Sequence, residues 1–199
     1  MRLRSGLIVA GLVGAGAWWA RTHPSACPYA LRFFVEGPHP GIECEKLIAI
    51  LAPRPGEQVL EVGPGTGYYS LDVAARLGDG SLGVFDVQQE MLDHTMRAAA
   101  ERGVSNIEPT RGDARALPYE NASFDGAFLV TVLGEVPDQD AALRELARVL
   151  RPGGRLVVGE LFGDPHMVGE KALRRRAATT GWRFERRVGP RFGFFARLT

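Results

Sequence analysis

The sequence contains few of the side chains that build metal sites or disulfides, with two cysteines and four histidines among 199 residues. Cys27 and Cys44 lie far apart in the chain, so neither a disulfide framework nor a four-ligand zinc site is available. We therefore predict no metal site and expect both cysteines to be small buried apolar residues. The length and the 45% hydrophobic content suit one well-buried domain.

A strong overall charge is also missing, because the formal net charge is only +1. The basic residues are nevertheless unevenly distributed: residues 171–199 contain nine Lys and Arg and a single acid, Glu185. Such a segment either meets anionic partners, such as lipid headgroups or an acidic substrate, or is a solvated basic helix and hairpin. The sequence leaves both interpretations open.

The N-terminal segment has a different character from the rest of the chain. The apolar run Gly6–Ala20, which ends near the pair Trp18-Trp19, is followed by Arg21 and preceded by two other arginines. It is shorter than the roughly 20 residues of a spanning helix. An interfacial membrane anchor, a cleaved signal peptide and a disordered start all fit it. We predict a short hydrophobic segment over residues 1–22, with membrane surface contact through residues 1–20 as one outcome.

From Pro40 onward, strand-like and helix-like segments alternate, which is the pattern of a parallel sheet with helices on both faces. The segments WRFERRV and RFGFFARL then face each other across Gly189-Pro190 as a hairpin. We therefore predict an α/β fold with a doubly wound, mostly parallel sheet. The expected helices are Glu43–Ala52, Tyr68–Leu77, the segment around Met91–Ala99, one capped by Asp138 and stopped by Arg151–Gly154, and Val168–Thr180. The expected strands are QVLEV, SLGVFD, Asn106–Thr110, Phe124–Val130 and RLVVGEL.

The stretch VLEVGPGTGYYSLDVA places Gly63, Gly65 and Gly67 between the first strand and the first helix that follows it. The free N–H groups of the helix start point towards any ligand there, and glycine lets the backbone approach that ligand closely. Asp86 ends the second strand, where a carboxylate can accept both hydroxyl hydrogens of a ribose. The stretch therefore predicts a nucleoside site.

The spacing of the glycines indicates which kind of nucleoside is bound. The dinucleotide fingerprint G-x-G-x-x-G, counted from Gly63, would need its last glycine at Tyr68, where the large ring would crowd a pyrophosphate. Glu61 within the strand would repel a phosphate and suits a ligand that carries an ammonium and a sulfonium. A nicotinamide-dependent oxidoreductase is therefore the weaker alternative.

Four stretches together resemble the class I S-adenosylmethionine-dependent methyltransferases: VLEVGPGTG, GVFDVQQEML, GDARALPYENASFDGAFLV and LRPGGRLVV, in that order. The resemblance extends from Glu43 to Thr199 and implies a Rossmann-like, seven-stranded sheet in a cofactor-binding domain over residues 43–199. Residues 23–42 would then be a lid or linker segment. The implied cofactor is S-adenosylmethionine.

The resemblance also implies the roles of individual residues. The glycines would line the methionine and ribose part of the cofactor, braced by Glu61. The remaining contacts implied are Asp86 to the ribose hydroxyls, Val87 on the adenine, Asp113 and Ala114 at the adenine edge, and Thr131 near the amino group. Asp113 can alternatively cap a turn, and Glu61 can be a buried ion-pair partner.

The implied chemistry is an in-line displacement in which an acceptor atom attacks the sulfonium methyl group. Positioning can supply most of the acceleration, so a general base is optional. Candidates for such a base follow strands four and five, where open sheets place their ligands: Glu135, Glu160 and His166. His166 can equally be a surface loop histidine.

The acceptor is expected to be a small molecule. TVLG after strand four has no counterpart of the tetrad that methylates exocyclic amines of DNA bases, so nucleic acid is an unlikely partner. The tyrosine-rich N-terminal signature of quinone C-methyltransferases is also missing, which leaves a quinone possible but less favoured. A non-catalytic cofactor-binding module is the remaining alternative, and the oligomeric state is open.

A segment before the first core helix bears on the polarity of the acceptor. Related enzymes place a lid in the position of Cys27–Gly41, and Tyr29, Phe33 and Phe34 could cover an apolar substrate there. The same aromatics could instead pack on the sheet. We expect a cytoplasmic protein with an apolar or lipid-like acceptor, held at the membrane if the N-terminal segment anchors it.

Overall fold

The computed structural model describes residues 25–34 and 41–199, apart from the side chains of residues 32–34. The predicted N-terminal segment, and with it any membrane contact through residues 1–20, lies outside the described residues. So do the side chains of Phe33 and Phe34. Within the described ranges, no helix is both long and apolar enough to cross a membrane.

Seven strands form one sheet in the order β3-β2-β1-β4-β5-β7-β6. All neighbours are parallel except β7, which runs antiparallel to both β5 and β6. This confirms the predicted sheet and its C-terminal hairpin. The strands are β1 (Gln58–Val62), β2 (Ser81–Asp86), β3 (Ile107–Arg111), β4 (Phe124–Val130), β5 (Leu150–Leu161), β6 (Phe184–Val188) and β7 (Gly193–Leu198).

Helices cover both faces of the sheet, as the alternating pattern predicted. They are α1 (Cys44–Leu51), α2 (Ser70–Ala74), α3 (Gln89–Glu101), α4 (Gln139–Val149) and α5 (Glu170–Thr179). One apolar cluster contains Leu47 of α1 and Leu92 of α3, whereas another contains Leu146 of α4 and Leu173 of α5. The hydrophobic stripe of each helix therefore packs on one side of the central strands.

The strand order creates a crevice at the carboxyl end of β1. β1 lies between β2 and β4, so the chain leaves β1 towards one neighbour and returns later on the other side. In open α/β sheets, ligands bind where the strand order reverses in this way. The predicted glycine stretch, which begins one residue after β1, lies at that point.

Most predicted boundaries agree with the observed ones within two residues, and two elements differ by more. The predicted helix Tyr68–Leu77 is shortened to α2, because Arg76 and Leu77 already donate to carbonyls three residues back, at 3.0 and 3.1 Å. Residues 151–154 were expected to stop α4 as a loop, but β5 starts at Leu150. They form an irregular part of that strand, since pairing to β4 jumps from Phe124–Leu150 to Gly126–Arg155. Asp138 caps α4 as predicted, with its Oδ1 accepting the Ala141 N–H at 2.9 Å.

Candidate active site

A cavity of about 300 Å³ opens at the carboxyl ends of β1, β2 and β4. Its walls bring together residues that are distant in sequence, and most of the predicted cofactor residues are among them. Those that line it are Gly63, Gly65, Asp86, Val87, Asp113, Ala114 and Thr131. Glu61 and Gly67 are outside this lining.

The glycine loop needs its glycines for both conformation and space. Gly63, Gly65 and Gly67 have φ of +73°, +57° and +85°, which L side chains rarely adopt. A Cβ on Gly63 would lie 2.3 Å from Cγ2 of Val132. The loop after β1 is thus packed against the loop after β4, and a side chain at Gly63 would separate them.

Glu61 lies beneath this loop rather than in the cavity. It is 2% exposed, and its Oε2 accepts a 2.5 Å hydrogen bond from the Ser70 hydroxyl at the start of α2. This bond connects β1 to α2 across the glycine loop. Burial raises the pKa of Glu61 to about 8, against the lowering effect of Ser70. The alternative role of ion-pair partner is not observed, because no Lys or Arg of the described chain is paired with it.

Asp86 presents a buried carboxyl group at the end of β2. Its residue is 9% exposed, and its Oδ1 accepts the Gln88 N–H at 2.8 Å. Desolvation raises the pKa of Asp86, partly offset by hydrogen bonds from the backbone of residues 88 and 87. The hydrogen bond from the Gln88 N–H fixes the carboxyl group in the cavity wall, where it can accept hydrogen bonds from hydroxyl groups of a ligand.

Asp113 both lines the cavity and closes a turn. It lines the cavity, and it also closes a turn, since its Oδ1 accepts the Arg115 N–H at 2.9 Å. The Arg115 guanidinium binds the same carboxylate at 2.6 Å through Nη2, which holds the pKa of Asp113 below its ordinary value. Arg115 also lines the cavity, although sequence reasoning did not single it out.

Thr131 follows β4 in a strained conformation. Its φ is +55°, which is costly for a β-branched residue. The Thr131 N–H donates to Gly159 at 2.8 Å, and its hydroxyl donates to Val130 at 2.7 Å. Strain of this kind persists where the surrounding structure imposes it, often at ligand sites.

The segment Ser25–Phe34, which we call the strap, lies over one side of the cavity. Ser25, Ala26 and Cys27 belong to the cavity wall. The Gln88 side chain holds the strap by donating to Cys27 O at 2.9 Å and accepting the Tyr29 N–H at 3.1 Å. The side chain of Tyr29 contacts helix α3, where its hydroxyl lies 3.3 Å from His94 Nδ1. Gln88 has no recognisable sequence signal, because its role depends on a segment 60 residues away.

The three candidate bases have different environments. Glu135 lines the cavity and accepts the Cys27 N–H at 3.2 Å. Glu160 is 0% exposed and accepts the Val168 N–H at 2.9 Å, while His166 lies in the loop after β5. Neither of these two is part of the cavity wall. The geometry therefore favours Glu135 among the three.

Comparison with known proteins places this geometry in a family. Residues 59–154, which contain the glycine loop, Asp86, Asp113 and Glu135, match the family described as "Methyltransferase domain". Residues 59–154 are therefore a methyltransferase domain, and the chain resembles the class I S-adenosylmethionine-dependent methyltransferases.

Several named proteins resemble this chain. A ubiquinone/menaquinone biosynthesis C-methyltransferase UbiE of Ruegeria sp. (strain TM1040) is 40% identical over 117 residues, which are 58% of this chain and 47% of that protein. An O-methyltransferase of Pyrenophora dematioidea is 40% identical over 116 residues, 57% of this chain and 43% of that protein. The match thus spans about half the length of these relatives. The crystal structure of a SAM dependent methyltransferase from Aquifex aeolicus superimposes with a TM-score of 0.79 at 21% identity, covering 87% of this chain and 98% of that one.

The methyltransferase family implies S-adenosylmethionine as cofactor, and the residues present fit it. Gly63 and Gly65 of the glycine loop line the cavity, and Asp86 offers an acceptor for ribose hydroxyls. Burial raises the pKa of Glu61, Asp86 and Glu135, so a cation in the cavity would stabilise their ionised forms. When bound, S-adenosylmethionine supplies such a cation, together with a methyl group open to attack. Tyr68, in the place of the third dinucleotide glycine, lines the same cavity.

Proposed function

We propose that this protein transfers a methyl group from S-adenosylmethionine to a small apolar acceptor. The composition of the cavity wall carries the proposal. The wall beyond the predicted cofactor residues is mainly apolar, with Ala26, Ile42, Tyr69, Val136 and Pro137 among its members. A wall of this kind excludes water and favours an apolar molecule with few polar groups.

The relatives support this acceptor class without fixing the acceptor atom. One is named for ubiquinone and menaquinone biosynthesis and for transfer to carbon, and the other is named for transfer to oxygen. Since only about half of each relative is matched, their acceptors do not carry over to this chain. The acceptor of this chain is therefore inferred from its own cavity wall.

Glu135 is proposed to receive the proton that the acceptor loses. It is the only one of the three candidate bases in the cavity wall, and the Cys27 N–H fixes one of its oxygens. Burial raises the pKa of Glu135 to about 8, with the charge of Asp164 adding to the effect. A base with a pKa near the working pH is efficient in proton transfer.

The strap is proposed to act as a lid that keeps the cofactor in the closed cavity. We expect Gln88→Ala to remove two hydrogen bonds to the strap and to speed dissociation of S-adenosylhomocysteine by roughly tenfold, as two neutral bonds suggest. Stopped-flow measurements would give the rate. In the same variant, trypsin should cut faster after Arg32, a change that loss of a cofactor contact alone would not cause. Gln89→Ala is the control, because Gln89 bonds to exposed Asp93 instead.

Transfer of labelled methyl groups tests the proposed function directly. The full chain is incubated with methyl-radiolabelled S-adenosylmethionine and an extract of its host, and the label is partitioned among organic, aqueous and macromolecular fractions. We expect label in the organic fraction. Label only in the aqueous fraction would contradict the apolar acceptor, and label in no fraction would favour a non-catalytic cofactor-binding module.

Asp86→Ala should weaken S-adenosylhomocysteine binding at least about tenfold, the worth of one charged hydrogen bond. Calorimetry measures the affinity, and Asp93→Ala removes a carboxylate from the exposed side of α3 as a control. Asp86→Asn keeps an oxygen that can accept the Gln88 N–H. Comparison with Asp86→Ala therefore separates loss of this backbone hydrogen bond from loss of the ligand contact. Unchanged affinity in Asp86→Ala would contradict the predicted ribose contact.

A further inference from the structure

A second surface at the carboxyl edge of the sheet combines exposed aromatic rings with unpaired basic side chains. Phe162 follows the last residue of β5, and Phe192 precedes the first residue of β7. They are 76% and 56% exposed. The Phe162 N–H donates to Phe192 O at 2.6 Å, which holds the end of β5 to the start of β7. Large exposed aromatics fixed side by side are unfavourable in water unless something covers them.

A basic groove begins directly beside this aromatic pair. It is an open groove of about 840 Å³ between α5 and the β6–β7 hairpin. Its charged lining consists of Glu170, Lys171, Arg174, Arg175, Arg187 and Arg191. Arg191 lines the groove and is followed directly by Phe192, so the chain connects the groove to the aromatic pair, and we call the two together one face.

Most of the positive charge in the groove is uncompensated. Glu170 pairs with Arg174 Nη2 at 2.8 Å and with Arg187 Nε at 3.4 Å. Lys171, Arg175 and Arg191 have no ion pair with any carboxylate of the described residues, and all three are exposed. The face therefore presents three free cations next to two exposed aromatic rings.

We propose that this face docks on the surface of an anionic lipid bilayer. Lipid phosphates would bind in the basic groove, while the two phenylalanine rings enter the apolar boundary below the headgroups. A soluble polyanion would use the cations but leave the rings in water, so the combination favours a membrane. This inference goes beyond the proposed function, because it depends on neither the cofactor nor the acceptor.

The position of the face gives the docking a consequence for the site. Phe162 and Phe192 lie at the same edge of the sheet as the carboxyl ends of β1, β2 and β4, where the cavity opens. Docking would therefore bring the cavity mouth close to the bilayer, from which an apolar acceptor can enter without crossing water.

Vesicle binding by the full-length chain tests this docking. We would measure sedimentation with vesicles of phosphatidylcholine alone and of phosphatidylcholine containing phosphatidylglycerol. We expect preference for the anionic vesicles, weakened by salt. The triple variant Lys171→Glu, Arg175→Glu, Arg191→Glu should lose roughly tenfold or more in partitioning, since each basic residue near an anionic surface contributes to binding.

Matched variants separate this face from general charge and from the N-terminal segment. Arg54→Glu, Arg97→Glu and Arg144→Glu make the same change in net charge at exposed arginines outside the groove, and should bind vesicles normally. Phe162→Ser with Phe192→Ser should lose vesicle binding but keep binding to heparin, a soluble polyanion. Unchanged thermal melting and S-adenosylhomocysteine affinity would show that the variants fold.

Two results would overturn the proposal. Equal vesicle binding by wild type and the triple variant would assign any membrane contact to another part of the chain. Normal vesicle binding by the phenylalanine variant would show that the rings do not enter the bilayer, which removes the observation that favours a membrane over a soluble polyanion. Because S-adenosylhomocysteine binding is followed in each variant, failure here is distinguishable from failure of the proposed function.

Discussion

Gly63→Ala is expected to weaken cofactor binding by roughly 100-fold, because displacement of a site by about 1 Å can have an effect of that size. The new Cβ would lie 2.3 Å from Val132 Cγ2, so the loops after β1 and β4 must separate. Alanine at φ of +73° adds backbone strain of about 1–2 kcal/mol. Calorimetry with S-adenosylhomocysteine and thermal melting measure the two effects.

Gly103 provides a control that separates the effect of the close contact with Val132 from the effect of backbone strain. Its φ is +68°, but a Cβ there would meet nothing within 4 Å. Gly103→Ala should therefore lower the stability by about 1–2 kcal/mol through strain alone and leave the affinity unchanged. Adding Val132→Ala to Gly63→Ala should restore part of the affinity. If Gly63→Ala bound the cofactor as well as Gly103→Ala, the packing of the two loops would not shape the site.

The sequence predicts the sheet and the glycine loop because both depend on local signals. Buried strands such as β1 and β4 are continuous apolar runs bounded by turn residues, and the observed bounds match the predicted ones. Glycines at alternate positions between a strand and a helix likewise require no distant partner to be recognised. The boundary of α2 was less predictable, since its last turn tightens through bonds that no residue type specifies.

The parts of the site that were not predicted depend on contacts distant in sequence. Gln88 is an ordinary polar residue at the start of α3, and only folding brings it to Cys27 and Tyr29. Arg115 was not predicted as a site residue, because its hydrogen bonds to Asp113 are those of an ordinary turn. Glu135 and Glu160 had equivalent sequence signals, each lying just beyond or at the end of a strand. Only the loop packing decides which of them meets the cavity.

The loop packing that separates these two glutamates is tight. A Cβ on Gly134 would lie 1.7 Å from the His166 carbonyl oxygen, so the loop after β5 closes directly over the turn that carries Glu135. Glu160 is buried beneath this contact, and burial raises its pKa well above the ordinary value. Glu135, on the other side, faces the cavity. The contact thus gives two acidic residues of similar chemistry different access to a ligand.

Glu135→Gln is expected to lower kcat by about 10²–10⁴-fold, the usual contribution of a general base. Glutamine keeps an oxygen for the Cys27 N–H, so the strap should stay in place and S-adenosylhomocysteine affinity should change little. Glu160→Gln is the control: Glu160 is a buried glutamate that lies outside the cavity wall, and this variant should retain nearly full activity. Equal losses in both variants would indicate a structural role.

The pH dependence provides an independent criterion for Glu135. Its raised pKa of about 8 means that the carboxyl group is mostly protonated below that pH and cannot accept a proton. The charged or titratable groups facing it are Asp164, Glu160, Asp86 and Cys27, and the negative charges among them favour the protonated form. In the wild type, the rate should therefore rise with pH and then level off. Because the cation of bound S-adenosylmethionine favours ionised Glu135, the midpoint with saturating cofactor should lie below the pKa of about 8 of the cofactor-free protein.

A comparison of Glu135→Gln with Glu61→Gln shows which carboxyl group produces the rise in rate with pH. The pKa of Glu61 is also about 8, but Glu61 acts beneath the glycine loop and would affect cofactor binding instead. With saturating S-adenosylmethionine, Glu135→Gln should lose the rise in rate, whereas Glu61→Gln should keep it. A rise that persists in Glu135→Gln would remove Glu135 from the proton-transfer step and leave positioning as the main source of the rate.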